Sequence, residues 1–149
     1  MTLIRITKEF SFEAAHALKG YDGPCRNIHG HSYKLSVTIT GEPVSVMDSP
    51  KKGMVIDFSE LKRIIKKSII DPFDHALILG ADFPEDLFKR SDDAFSNVIF
   101  VDYQPTSENL LIDFTTRIKD LLPATVRLHS LRLKETATSY AEWFAEDNE

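Results

Sequence analysis

Four residues near the start of this chain have the types and spacing for metal or proton-transfer chemistry: His16, Cys25, His29 and His31. Side chains two apart on a strand point the same way, so His29 and His31 share a face if they lie on one strand. Three neutral imidazoles suit Zn²⁺ best among common ions, and they leave a fourth position for water or substrate. Cys25 is the one soft ligand nearby. Either it completes a closed Cys-His₃ site or it stays free as a nucleophile or base. His-Gly-His alone is a weak signal, and the third histidine is what turns it into a metal reading.

Three other segments carry chemical side chains. Asp74-His75 sets a carboxylate beside an imidazole, which makes a proton shuttle if a separate contact orients the ring. The plainer reading is a turn aspartate next to a surface histidine. In Lys134-Glu135-Thr136, at the end of a strand, the glutamate is a natural partner for the amidine-like N–H pair of a purine or pterin ring. Thr106-Ser107-Glu108 opens a helix, where capping comes first and ligand contact second. Phosphate-loop, dinucleotide and nucleophile-elbow motifs are missing from the sequence,.

The elements around these residues follow from periodicity. Thr2–His16 reads as a strand with Ile4, Ile6, Phe10, Phe12, Ala14 and His16 on one parity. His29–Gly41 alternates more strictly, with His29, His31, Tyr33, Leu35, Val37 and Ile39 on one face. Paired antiparallel, the two strands bring all three imidazoles to one end of one hairpin, on one side of the sheet. Asp57, with Glu60 three residues on, caps a helix whose stripe is Leu61, Ile64, Ile65 and Ser68–Ile69, and Pro72 should end it. A second helix starts at Thr106 or Ser107 with the stripe Leu110, Leu111, Phe114, Ile118, Leu121 and Leu122, up to Pro123. Val98–Val101 is a short strand or a buried connection. Val126–Thr136 and Ser139–Phe144 read as strands, the first with room for a bulge. Ala81–Asn97 is acidic and irregular and is expected to be mobile, with a frayed tail at Ala145–Glu149.

This order gives an α+β domain spanning residues 1–149, with a four-stranded antiparallel sheet and two helices on one face. So small a sheet exposes its edges, and assembly into a closed ring of subunits would cover them. With 149 residues the chain is one domain of ordinary size,. A single cysteine excludes an internal disulfide and fits a reducing cytoplasm,. No signal peptide or membrane span is expected. A formal net charge of −5 argues against nucleic acid as a partner,. An anionic substrate would need a local basic patch, for which Lys19, Arg26, Lys51 and Lys52 are candidates by charge alone.

The segments Phe12-Glu13-Ala14-Ala15-His16, Cys25-x-x-x-His29-Gly30-His31, Asp74-His75, Pro105-Thr106-Ser107-Glu108-Asn109 and Lys134-Glu135-Thr136 occur in that order. Together they resemble the 6-pyruvoyltetrahydropterin synthase superfamily, and within it the bacterial 6-carboxytetrahydropterin synthase branch of queuosine biosynthesis. The three-residue gap between Cys25 and His29 favours that branch, since pyruvoyl-forming members have a longer gap. The resemblance implies a tunnelling fold whose subunits close into a barrel, trimer-based and often hexameric, with active sites between subunits. It implies Zn²⁺ on His16, His29 and His31, and Cys25, Asp74 and His75 as the proton-transfer groups. Glu135 would anchor the pterin ring, with Thr106, Ser107 and Glu108 as secondary contacts. The implied reaction converts 7,8-dihydroneopterin triphosphate to 6-carboxy-5,6,7,8-tetrahydropterin, acetaldehyde and triphosphate. A pyruvoyl-forming lyase and a non-enzymatic zinc-stabilised module are the alternatives. One departure is the stretch from Ile78 to Asp102, longer and more acidic than the compact loop expected there.

Overall fold

A computed structural model describes residues 1–87 and 93–149. Its centre is the hairpin of β1 (Ile4–His16) and β2 (His29–Gly41), in register from Ile4 opposite Gly41 to His16 opposite His29. Alternation decides the two faces. Phe12, Ala14, Tyr33, Leu35, Val37 and Ile39 are buried on the inner face, while Ser11, Glu13, Ser32 and Lys34 are exposed on the outer one.

The sheet has six strands rather than four and is mixed rather than antiparallel, in the order β4-β3-β1-β2-β5-β6. β3 (Ala76–Gly80) runs parallel to β1, and β4 (Val98–Val101) runs parallel to β3. Ala76, Ile78 and Leu79 are all buried, so β3 shows none of the alternation that marks a half-exposed strand,. These two strands take up the two ends of the long stretch between Ile78 and Asp102. Between them lie two 3₁₀ turns, Glu85–Leu87 and Asp93–Phe95. The middle of the segment expected to be mobile, residues 88–92, lies outside the described residues.

On the other side of the hairpin, β5 (Val126–Lys134) pairs antiparallel with β2, and β6 (Tyr140–Phe144) with β5. The expected bulge is present. Ser130 faces Thr38 and Leu128 faces Ile39, which leaves His129 as the extra residue,.

Helices cover the inner face. α1 (Phe58–Ile65) is capped by Asp57, whose carboxylate accepts the Ser59 N–H at 2.9 Å. Contrary to expectation, the helical run does not stop before Pro72. It passes through a π turn at Lys66–Ile70, where the Asp71 N–H donates to the Lys66 carbonyl, and ends in a last turn, α2 (Asp71–Phe73). Proline lacks an N–H and its ring crowds the carbonyl four residues back. The wider turn just before Pro72 gives that ring room. α3 (Ser107–Ile118) starts where expected, with Thr106 Oγ1 accepting the Asn109 N–H at 3.3 Å, and ends a turn before Leu122. Phe114 of α3 packs against Phe12 and Phe73, with ring centres 6.1 and 5.1 Å apart. No helix among the described residues is long and apolar enough to cross a membrane.

Candidate metal centre and ligand clefts

Register places His16 directly opposite His29, with His31 opposite Ala14, whose methyl leaves space for the rings. The ligating atoms of the three imidazoles lie within 4.8 Å of one another. Hydrogen bonding then fixes two tautomers. His16 Nδ1 is 2.6 Å from the Pro105 carbonyl, and His29 Nδ1 is 2.7 Å from the Asn27 carbonyl. A carbonyl only accepts, so each Nδ1 carries the proton and each neutral Nε2 carries a lone pair. Those Nε2 atoms are 3.0 Å apart. Two acceptors at that distance repel, and either a proton or a bound metal ion would remove the repulsion.

The third ring adds to this. His31 Nε2 is buried without a hydrogen-bond partner. Burial lowers the basicity of both His16 and His31; for His16 the Pro105 hydrogen bond opposes the effect, and for His31 the Glu135 charge does. Depressed basicity keeps an imidazole neutral, the form that binds metal.

Glu135 comes to the same place. Its Oε1 is 3.3 Å from His31 Nε2 and 3.5 Å from His16 Nε2. The turn after β5 sets that position, with the Glu135 and Thr136 N–H groups both donating to the Ser139 carbonyl. Beneath it, Tyr33 is fully buried with its hydroxyl unpartnered; burial first, then the Glu135 charge, pushes that phenol well above its ordinary range. Ser107 Oγ at the start of α3 is also buried and unpartnered. Among the described residues, every buried side-chain polar atom without a partner belongs to His31, Tyr33 or Ser107. All three residues surround the histidine end of the hairpin.

Two clefts meet at Glu135. One, of about 320 Å³, is lined by His16, Thr106, Ser107, Glu108, Glu135 and Tyr140, among others. The other, of about 460 Å³, lies along Gly30, His31, Lys34, Lys134, Glu135 and Thr136. The residues Thr106, Ser107, Glu108 and Glu135, separate in sequence, therefore share one cavity with His16.

Two candidate groups lie outside those two clefts. Cys25 sits in a 3₁₀ turn (Pro24–Arg26), half-buried, its carbonyl accepting the Leu18 N–H at 3.0 Å. It neither joins the histidine group nor lines either cleft. The Asp74–His75 pair does form, with Asp74 Oδ1 3.0 Å from His75 Nδ1 and accepting the Glu13 N–H at 2.9 Å. His75 has φ of 59°, a left-handed conformation uncommon outside glycine, and its N–H donates to the Glu13 carbonyl at 2.6 Å,. Its side chain is 78% exposed. So the backbone holds an oriented, largely exposed dyad, and His75 lines a third cleft together with His31.

The family described as 6-pyruvoyl tetrahydropterin synthase matches residues 5–146. The chain belongs to the 6-pyruvoyl tetrahydropterin synthase family. A Haemophilus influenzae protein named 6-carboxy-5,6,7,8-tetrahydropterin synthase is 40% identical over 143 residues, covering 95% of this chain and 99% of its own. A Rickettsia typhi protein of the same name is 32% identical over 142 residues, covering 94% and 99%. Among solved structures, the Caenorhabditis elegans 6-pyruvoyl tetrahydropterin synthase superposes with a TM-score of 0.68 at 25% identity, covering 97% of each chain.

Within this family frame, the sequence reading missed three supporting groups. The Pro105 and Asn27 carbonyls orient two of the rings, and a backbone carbonyl leaves no trace in residue type. Tyr33 was visible as the next residue on the His29–His31 parity. Glu135 could also have been placed on the histidine face by parity, since Leu131 and Leu133 are buried there.

Proposed function

We propose that this chain, an enzyme of the 6-carboxytetrahydropterin synthase kind, is a zinc-dependent lyase. It converts 7,8-dihydroneopterin triphosphate to 6-carboxy-5,6,7,8-tetrahydropterin, acetaldehyde and triphosphate, the pterin step of queuosine (7-deazapurine) biosynthesis in the cytoplasm. The observation that carries the reading is the convergence of the His16 and His29 Nε2 atoms, 3.0 Å apart, with a His31 Nε2 that is buried without a hydrogen-bond partner. This donor set fits Zn²⁺, with His16, His29 and His31 as its ligands. Bound there, the ion supplies Lewis acidity, which acidifies the carbon next to a coordinated side-chain oxygen.

The other steps belong to the chain's own residues. Glu135 holds the pterin ring by its N–H pair, and Ser107, whose buried hydroxyl lacks a partner, offers a second contact in the same cleft,. Thr106 and Glu108 complete the wall. Cys25, as a thiolate, is the base that moves protons on the substrate side chain. Asp74 fixes the Nδ1 side of His75, which frees Nε2 as the second acid or base. Because this dyad is largely exposed, it fits a site completed by a neighbouring copy. A ring-based oligomer, trimer-based and stacked into a hexamer, provides such a neighbour and covers the open edges of β4 and β6. A protein that sediments as a monomer at micromolar concentration contradicts that arrangement.

The activity is tested by incubating zinc-loaded protein with 7,8-dihydroneopterin triphosphate and weighing the products by mass spectrometry. The carboxytetrahydropterin with acetaldehyde is expected. A pyruvoyl product without acetaldehyde would move the chain to the pyruvoyl-forming lyases.

A further inference from the structure

Three of the four basic candidates for an anionic substrate have partners within the chain. Lys51 pairs with Asp57, Lys19 Nζ donates to the Asp82 carbonyl at 2.5 Å, and Lys52 reaches the Met47 sulfur at 2.7 Å. Two other lysines are placed differently. Lys34 of β2 and Lys134 of β5 are direct cross-strand partners. Directly opposed residues share a face with their Cβ atoms about 5 Å apart, and like charges there destabilise the pair. Elsewhere on this face the charge is balanced, as where Arg132 sits 3.3 Å from Glu142 and over the Tyr140 ring. Among the described residues neither lysine has a carboxylate within ion-pair distance, although Glu135 shares their cleft; its carboxylate is turned to the histidines.

The cleft gives the opposed charges a purpose. Its lining includes Gly30, His31, Glu135, Thr136, Lys34 and Lys134, so a residue of the histidine cluster and both lysines border one cleft. We infer that Lys34 and Lys134 form the anion site that holds the substrate's triphosphate, an inference that rests on the reading of the substrate given above. The pterin ring lies in the cleft shared by Ser107 and Glu135, the side chain passes the histidines, and the phosphates lie on the two lysines. The chain's net charge of −5 makes this local pair necessary, because the surface as a whole repels a polyanion,. Each ammonium offers three donors and a full positive charge to phosphate oxygens, and the anion relieves the repulsion between the lysines.

The test is calorimetric binding of inorganic triphosphate to the zinc-loaded protein, with zinc content checked before and after. Binding should weaken on the order of tenfold in Lys34→Ala or Lys134→Ala and further in the double variant. The Lys34→Arg/Lys134→Arg protein should stay within a few-fold of the original. Affinity for unphosphorylated 7,8-dihydroneopterin should not change in any of them, since the ring contacts are elsewhere. Unchanged triphosphate binding in a folded, zinc-loaded double alanine variant overturns the inference, and so does an unmodified protein that ignores triphosphate. If the lysines instead meet carboxylates of a second copy, the double variant changes its oligomeric state while its triphosphate binding holds, which also overturns it. Lysine-dependent triphosphate binding in a protein that does not turn over the pterin contradicts only the assigned reaction.

Discussion

The two ends of the β1–β2 hairpin are built from the same alternation but settle their polar groups differently. At the Ile6–Ile39 end and through Leu35 and Val37, aliphatic side chains fill the inner face and meet the helices. At the His16–His29 end, the same face carries converging imidazole nitrogens, a carboxylate and buried hydroxyls without partners. Leaving a buried polar group unsatisfied costs about 1–3 kcal/mol. One half of the hairpin therefore supplies the stability that the other half gives up in order to meet a ligand.

Three substitutions break or sharpen that contrast. The largest expected effect is in the filled half. Leu35 is fully buried, and Leu35→Ala should lower stability by about 2–5 kcal/mol in a denaturant titration, with zinc still bound once the protein is folded. Next comes Cys25→Ala, which should keep zinc because three histidines suffice, yet slow turnover by on the order of a hundredfold or more. That is about 2.7 kcal/mol of barrier. Loss of zinc in this variant would make Cys25 a ligand, and full activity would move the base to His75. The smallest effect is expected two residues before Leu35. Tyr33→Phe removes a hydroxyl that has no partner in the folded chain, so metal-free protein should change by no more than about 1 kcal/mol, toward greater stability. A loss of 2 kcal/mol or more, read by the same titration, would show that the hydroxyl is already satisfied.

The contrast also explains what could be read from sequence. Period-two alternation gave β2 its bounds and put His16, His29 and His31 together, because a strand with one wet face writes its geometry into residue type. The caps at Asp57 and Thr106 were legible for a similar reason, since their side chains do the capping. β3 was not legible: Ala76-Leu77-Ile78-Leu79 is apolar on both faces, and such a run has no period to read. The parallel pairing of β3 and β4 was hidden as well, because 17 residues separate them (81 to 97) without a helical pattern. Pro72 misled because a helix can widen into a π turn ahead of a proline. Asp74-His75 and Cys25 stand out by residue type, but sequence did not show that the first forms an exposed pair and that the second sits in a 3₁₀ turn outside the histidine group.

The most direct test of the metal centre is zinc per chain, measured by elemental analysis on the purified protein and on the His29→Ala/His31→Ala variant, each after equal exposure to zinc and removal of the unbound ion. Close to one zinc per chain is expected in the first, and little or none in a variant that is still folded by circular dichroism. Full zinc in the double variant would contradict the assignment of the histidine cluster.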